Sequence, residues 1–322
     1  MKIFLPNSVW IGNIDPFLEA MDMSNQNSLM ISSHKKWVSV HPVVLTMVAA
    51  LGLKMLQNQK KIFFEKMQAT SKHYFERIGL FKLLKLDSEM QIKEHESSGR
   101  FIPIQVIKTP EQLDTFVSDM IPLLHMEKEK VEPIKYVITE LVRNVLEHAR
   151  SEIGAVVCAQ FYPKSNTIRI GVSDVGIGIK ESISQSYTPK SDAAAIILAL
   201  TPGITGTTRK IGGTSENAGA GLFFIKSLAK VNRDFFMLYS GNAMYKLLRE
   251  PKDKKIKLLE DPLKDHCSFE EKYPHWQGTV VGIDLCLTEH ADFDELLDSI
   301  DKFYRQKRKE KIKSLFKKPR FI

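Results

Sequence analysis

Cysteine is scarce in this chain. Cys158, Cys267 and Cys286 are the only three among 322 residues, and they show no paired spacing. A disulfide framework and a cysteine-based zinc site therefore lack support, and reduced thiols are expected. Long apolar runs are missing too. The longest, "PVVLTMVAALGL" at residues 42–53, is 12 residues long and contains Thr46 and Gly52. A membrane-crossing helix needs about 20 residues, so this run predicts a buried helix. The opening "MKIFLPNSVW" lacks the basic-then-apolar layout of a signal peptide, and a cytoplasmic protein is expected. There is no internal repeat and no long low-complexity segment. No Walker A lysine pattern occurs, and "GAGLFF" lacks the third glycine of the Rossmann fingerprint. Two familiar ways of holding phosphate are thereby excluded.

Acidic residues are sparse at one end only. The formal net charge is +8, yet residues 302–322, "KFYRQKRKEKIKSLFKKPRFI", hold ten Lys and Arg against one Glu. The remaining chain is close to neutral, so the basicity belongs to a C-terminal tail. Such a tail suits an acidic membrane surface, nucleic acid or an acidic partner, and equally a solvated end.

The apolar share of 43% is ordinary for a globular protein, and the length suits about two domains. Residues 1–95 alternate short apolar stretches ("KIFLP", "SLMISS", "WVSV") with the apolar helix, a strand "KIFFEK" and an amphipathic helix "SKHYFERIGLFKLLK". The polar "KEHESSGR", residues 93–100, reads as a linker. Beyond it, residues 96–292 begin with a strand, "FIPIQVIK", and a helix, "PEQLDTFVSDMIPLL". "VEPIKYVITELVRNVLEHA" is the strongest helical signal, with Ile134, Val137, Ile138, Leu141, Val142, Val145, Leu146 and Ala149 repeating at three and four. The strands "GAVVCAQFYP", "TIRIGVSD" and "GTVVGIDLCL" follow, and residues 293–322 form a terminal helix with the basic tail. Neighbouring strands with helices on one face describe an α/β (α+β) sandwich.

Three segments bear chemistry. Glu140, Asn144 and His148 fall on one edge of the strongest helix, beside its apolar stripe. The strand "TIRIGVS" runs into "DVGIGI", which sets Asp174 at a strand end with Gly176 and Gly178 behind it. A carboxylate there can accept from an exocyclic amine, and the glycines let backbone pass close to a flat ligand. The glycine-rich "GGTSENAGAGLFFIKSLAKV", residues 212–231, opens an amphipathic helix and offers free N–H groups to phosphate. Taken singly, each has an ordinary alternative, an Asp-Gly turn or a flexible loop.

In this order, the three segments resemble the GHKL superfamily of ATP-binding domains over roughly residues 105–290. The pattern Glu-x-x-x-Asn-x-x-x-His-Ala is most similar to the anti-sigma-factor serine kinases of that superfamily. The resemblance implies the two-layer Bergerat sandwich, with ATP and Mg²⁺ as cofactors. It implies Asn144 as the metal ligand and Glu140 as the residue that orients or deprotonates the attacking group. Asp174 would bind the adenine amine, with Gly176 and Gly178 shaping its pocket, and Gly219, Gly221 and Leu222 would seat the phosphates. Residues 180–217 would be the lid, with Arg209 or Lys210 within reach of phosphate. His148 reads as support rather than chemistry. His125 lies too near Glu140 for a separate phosphoacceptor hairpin.

Residues 1–90 resemble a STAS domain, whose first helix often starts at a phosphorylatable serine. Here that place reads "SVHPVV", with Ser39 early and His41-Pro42 in the turn. The expectation is a regulatory ATPase or serine protein kinase acting on a partner protein, with a homodimer in view. Two alternatives stand beside it: an ATP-gated interaction module without turnover, and a nucleic-acid-linked ATPase using the tail.

Overall fold

The computed structural model describes residues 1–65, 71–86, 101–124, 128–204, 221–287 and 293–315. The linker 93–100, His125, Arg209, Lys210, Gly212, Gly213, Gly219 and the tail beyond 315 lie outside the described residues.

The N-terminal part carries β1 (Lys2–Leu5), β2 (Ser8–Val9), α1 (Asp15–Glu19), β3 (Ser28–Ser33), β4 (Ser39–Val40), α2 (Pro42–Gln57), β5 (Lys61–Phe64), α3 (Lys72–Arg77) and α4 (Leu80–Leu83). Strands β1, β3 and β5 form a parallel sheet in that order, and β2 pairs with β4. The single helix predicted for "SKHYFERIGLFKLLK" breaks at Gly79, whose φ of 85° is left-handed. The outer face of the parallel sheet leaves Phe4, Met30 and Phe63 exposed.

The second part contains β6 (Phe101–Ile107), α5 (Pro110–Leu124), α6 (Lys128–Asn144), β7 (Ala155–Tyr162), β8 (Thr167–Ser173), α7 (Gly178–Ser184), α8 (Asp192–Leu200), α9 (Gly221–Val231), β9 (Phe236–Leu247), β10 (Cys267–Cys286) and α10 (Phe293–Leu315). Its five strands form one antiparallel sheet in the order β6-β7-β8-β10-β9. Strand β9 is not among the predicted strands, and Ser240-Gly241-Asn242 in its middle are residue types more common in turns. Gly241 (φ 61°) instead sits opposite Trp276, where β10 loses regular register. The molecule is thus of mixed α+β type. Among the described residues no helix is long and apolar enough to cross a membrane.

Alternation along the strands divides the core in two. Ile168, Ile170 and Val172 of β8 face the layer of helices α5 to α9, together with the buried stripe of α6. The opposite sheet face, contributed by Val156, Cys158, Met237 and Val280 among others, shares one core with residues of the N-terminal part. Where two layers are expected, the sheet is covered on both faces. The second cover is α2, which lies between the parallel sheet and strands β7, β8 and β10. That position explains a helix apolar all round: Pro42 to Gly52 is buried without exception.

A flat seat on the sheet receives α2. Gly171 of β8 and Gly282 of β10 are register partners. A Cβ on Gly171 would stand 2.4 Å from the Val43 Cα, and one on Gly282 would meet Val43 Cβ at 3.2 Å. The residue that starts the helix, His41, is fully buried. Its Nδ1 accepts the Val43 N–H at 3.0 Å, which leaves Nε2 to donate to Asp284 Oδ1 at 3.1 Å. Arg169, stacked between Trp10 and Tyr162, and Arg249 also approach Asp284. The turn where a STAS domain often carries its phosphorylatable serine is thus occupied by a buried, hydrogen-bonded His41.

Burial holds the His41 pKa below its usual 6.5, against the pull of Asp284. The neutral form is favoured by folding, so this contribution is present above pH 6.5 and lost as pH falls below it. Asp284 is held below the ordinary carboxylate range, overcoming its own burial through His41 and the two arginines. Its contribution also fades in acid, so both slopes have the same sign. Urea midpoints measured between pH 7 and 5 should fall more steeply for the natural chain than for His41→Gln, and parallel curves would refute this.

Candidate functional site

The strongest helix reaches the site in an altered form. It is α-helical to Asn144, then widens into a π-type turn over Val145–Ala149 and stops at Arg150, which is left-handed at φ 49°. Such turns re-aim side chains. Here the turn brings Val145, His148 and Ala149 to a cleft wall alongside Asn144. The expected even edge of Glu140, Asn144 and His148 therefore does not continue as one α-helical row.

Strand β8 ends at Ser173 and delivers Asp174 to the cleft. Asp174 is held by two hydrogen bonds at its carboxylate and two at its backbone. Oδ1 accepts the Gly176 N–H at 2.7 Å and Oδ2 the Thr279 N–H at 3.2 Å. Its backbone N–H donates to Thr279 O at 2.9 Å, and its carbonyl accepts from Trp276 Nε1 at 3.0 Å. Only 1% of the residue is exposed. Burial pushes its carboxyl up to about 7, although the N–H donors of Gly176 and Thr279 pull the other way.

The glycines around it are set by space. A Cβ on Gly176 would lie 2.0 Å from Ala149 O, so the strand end is pressed against the end of the helix. Gly178, with φ 77°, starts α7. The first residue of α9, Gly221, closes the assembly: its Cβ would stand 2.7 Å from Glu140 Oε2 and 3.4 Å from Asn144 Nδ2. Three segments distant in sequence thus meet at one place.

Where they meet, they enclose an open cleft. Asn144, Asp174, Gly178, Gly221 and Leu222 line it, and so does His148. Glu140 and Gly176 stand behind the wall. Glu140 is 18% exposed at its side chain and 3.6 Å from Arg143. Its pKa is raised by burial, against the pull of Arg143. Asn144 Nδ2 is buried without a hydrogen-bond partner. Among the described residues no three His, Cys, Asp or Glu side chains stand together as a metal site.

Part of the predicted lid is ordered structure. Residues 180–204 include most of α7 and all of α8, because Ser191 Oγ caps α8 by accepting from Ala194 N at 3.2 Å while Ala195, Ile196 and Leu200 are buried. Behind the cleft, α9 is anchored by Lys226 and Lys230, both paired to the buried Asp265, which also accepts from Tyr245 at 3.2 Å. Trp276 and Thr279 are neighbours of Asp174 that sequence reasoning missed. Their signal is the "WQGT" at the start of a predicted strand, where Gly278 has φ 106°. No protein-family model matches the chain, and no curated protein matches it.

Proposed function

We propose that the chain binds ATP with Mg²⁺ in this cleft, in the manner of the GHKL domains its motifs resemble. One observation carries the reading: a deeply buried carboxylate, Asp174, shares a largely apolar cleft with Asn144 and the glycine that opens α9. Asp174 accepts from the exocyclic amine of adenine, with Gly176 and Gly178 giving the base its room. The N-terminus of α9, from Gly221 and Leu222, faces the phosphates with its free N–H groups. Asn144 would hold the metal through its amide oxygen, the usual sparse protein coordination of Mg²⁺, and its buried, unpartnered Nδ2 would donate to a phosphate oxygen. The bound ion neutralises phosphate charge. Glu140, with its raised pKa, accepts a proton from the attacking hydroxyl or water. The reaction is hydrolysis or transfer to a serine of a regulatory partner protein, and a homodimer is part of the proposal.

Glu140's place behind Gly221 favours a second reading, in which ATP gates an interaction without turnover. Labelled γ-phosphate separates the two. The enzyme reading expects release or transfer that falls about a thousandfold in Glu140→Gln while ATP still binds. Tight binding with no turnover in the natural chain would leave the gate.

Gly221→Val supplies an independent check. Its side chain must displace Glu140 or the α9 terminus. Calorimetry should show ATP affinity reduced by about tenfold or more, from misplacement of the phosphate-binding end. Unchanged affinity would remove Gly221 from the site.

A further inference from the structure

We propose that Thr46 and Trp276 are positioning residues, through which the seating of α2 sets how well Asp174 receives an adenine base. The proposal deepens the adenine-nucleotide reading and rests on it.

Ser173, the residue before Asp174, turns its side chain away from the cleft and towards α2. Its Oγ lies 2.7 Å from Thr46 Oγ1, and both residues are fully buried. Thr46 Oγ1 donates to the Val43 carbonyl at 2.9 Å. A hydroxyl has one hydrogen, so the direction of the relay follows: Ser173 donates to Thr46, and Thr46 to the first turn of α2. The strand end that presents Asp174 is thus hydrogen-bonded to the helix beneath it.

A second tie comes from the other side. Trp276 Nε1 donates to the Asp174 carbonyl at 3.0 Å, and the ring is 1% exposed within the core shared with the N-terminal part. Trp276 lies inside the irregular stretch of β10 between Glu271 and Val280, which also holds Thr279, the donor to the Asp174 carboxylate. Within it, a Cβ on Gly278 would be 2.3 Å from Asp174 O, so the two backbones have no slack. The same stretch is joined to α2 at the surface, where Lys54 Nζ donates to Gln277 Oε1 at 2.6 Å. Further on, Ser240 Oγ donates to Gly278 O at 2.6 Å and accepts from the N–H of Ile179 on the cleft wall at 3.0 Å. A movement of α2 therefore reaches Ser173, Gln277 and both N–H donors of the carboxylate together. A ligand or partner that shifts the N-terminal part changes adenine affinity by this route.

The test uses the full chain and two nucleotides. Inosine triphosphate carries a carbonyl oxygen where adenine carries its amine, so it makes no amine contact with Asp174. Thr46→Val keeps the shape and removes the hydroxyl. Calorimetry should show ATP affinity down about tenfold and inosine triphosphate within about twofold, with Thr46→Ser restoring ATP binding. In the ligand-free chain, amide exchange at Gly176 and Thr279 should accelerate in Thr46→Val, and less so in the surface variant Lys54→Ala. Equal losses for both nucleotides, or unchanged exchange at those two amides in either variant, would overturn the proposal. Should Thr46→Val fail to fold, Trp276→Phe and Lys54→Ala carry the same readouts. A natural chain that binds no ATP but whose variants show the exchange response would sink the nucleotide reading and leave the mechanical link standing.

Discussion

Replacing Asp174 by alanine should lower ATP affinity about a hundredfold while leaving inosine triphosphate binding little changed. The size follows from what is lost, a charge-assisted hydrogen bond at a residue only 1% exposed. The Gly176 and Thr279 N–H groups would also be left without their acceptor. Acidity gives the same result by a gentler route. Burial raises the Asp174 carboxyl to about 7, so it takes up a proton near neutral pH in the empty cleft. An amine donor prefers the ionised acceptor, so ATP affinity should rise between about pH 6 and 8 and flatten above. In the empty chain the same raised value favours the protonated form on folding. The stability it contributes is full below the ordinary carboxylate pKa of 3.8 and lost as pH rises through about 7. Asp174→Asn should abolish both slopes. Titration calorimetry across that range checks the first, and urea midpoints the second. A pH-independent affinity for the natural chain would place the amine elsewhere.

The second large effect concerns the seat of α2. Gly171→Val should destabilise the protein by about 3 kcal/mol, because its side chain meets helix backbone, which cannot move aside as a side chain can. Gly282→Val should cost less. Its nearest neighbours are side-chain atoms, Met237 Cγ at 3.0 Å and Val43 Cβ at 3.2 Å. Urea denaturation of both variants measures the difference. Equal midpoints would mean that α2 does not bear on this strand pair.

Those two glycines also show where sequence reading stopped. The stripe on α6 and the strands "TIRIGVS" and "GTVVGIDLCL" were legible because burial on a known side imposes a period. Asp174, Gly176, Gly178 and Gly221 stood out because few reasons exist for such residues at a strand end or a helix start. The seat did not stand out. An isolated glycine within a strand announces that something approaches closely, yet not what approaches. The apolar run 42–53 announced a buried helix, yet not the surface that buries it. Each signal was half of a contact, and only the sheet register joins the halves. The boundary near residue 95 has the same origin. It was read from a polar segment, whereas the shared core that crosses it comes from residues far apart along the chain. The π-type turn was hidden for another reason. Its residues continue the apolar repeat of the helix, so Val145 and Ala149 fit either winding.

The sandwiched position of α2 has a further consequence, for the time course of synthesis. The helix is complete once residue 57 has been made, but β10 extends to Cys286. At 5–20 residues per second, roughly 10 to 50 s separate the two. Until β7 and β8 are made, the buried stretch Pro42–Gly52 has only its own small sheet to cover it, and its cover stays incomplete until β10. Of the strands that shelter its other side, β10 is the last to be made. Ribosome-bound chains halted before β10 should therefore recruit holdase chaperones at residues 42–57, and chains released after it should not.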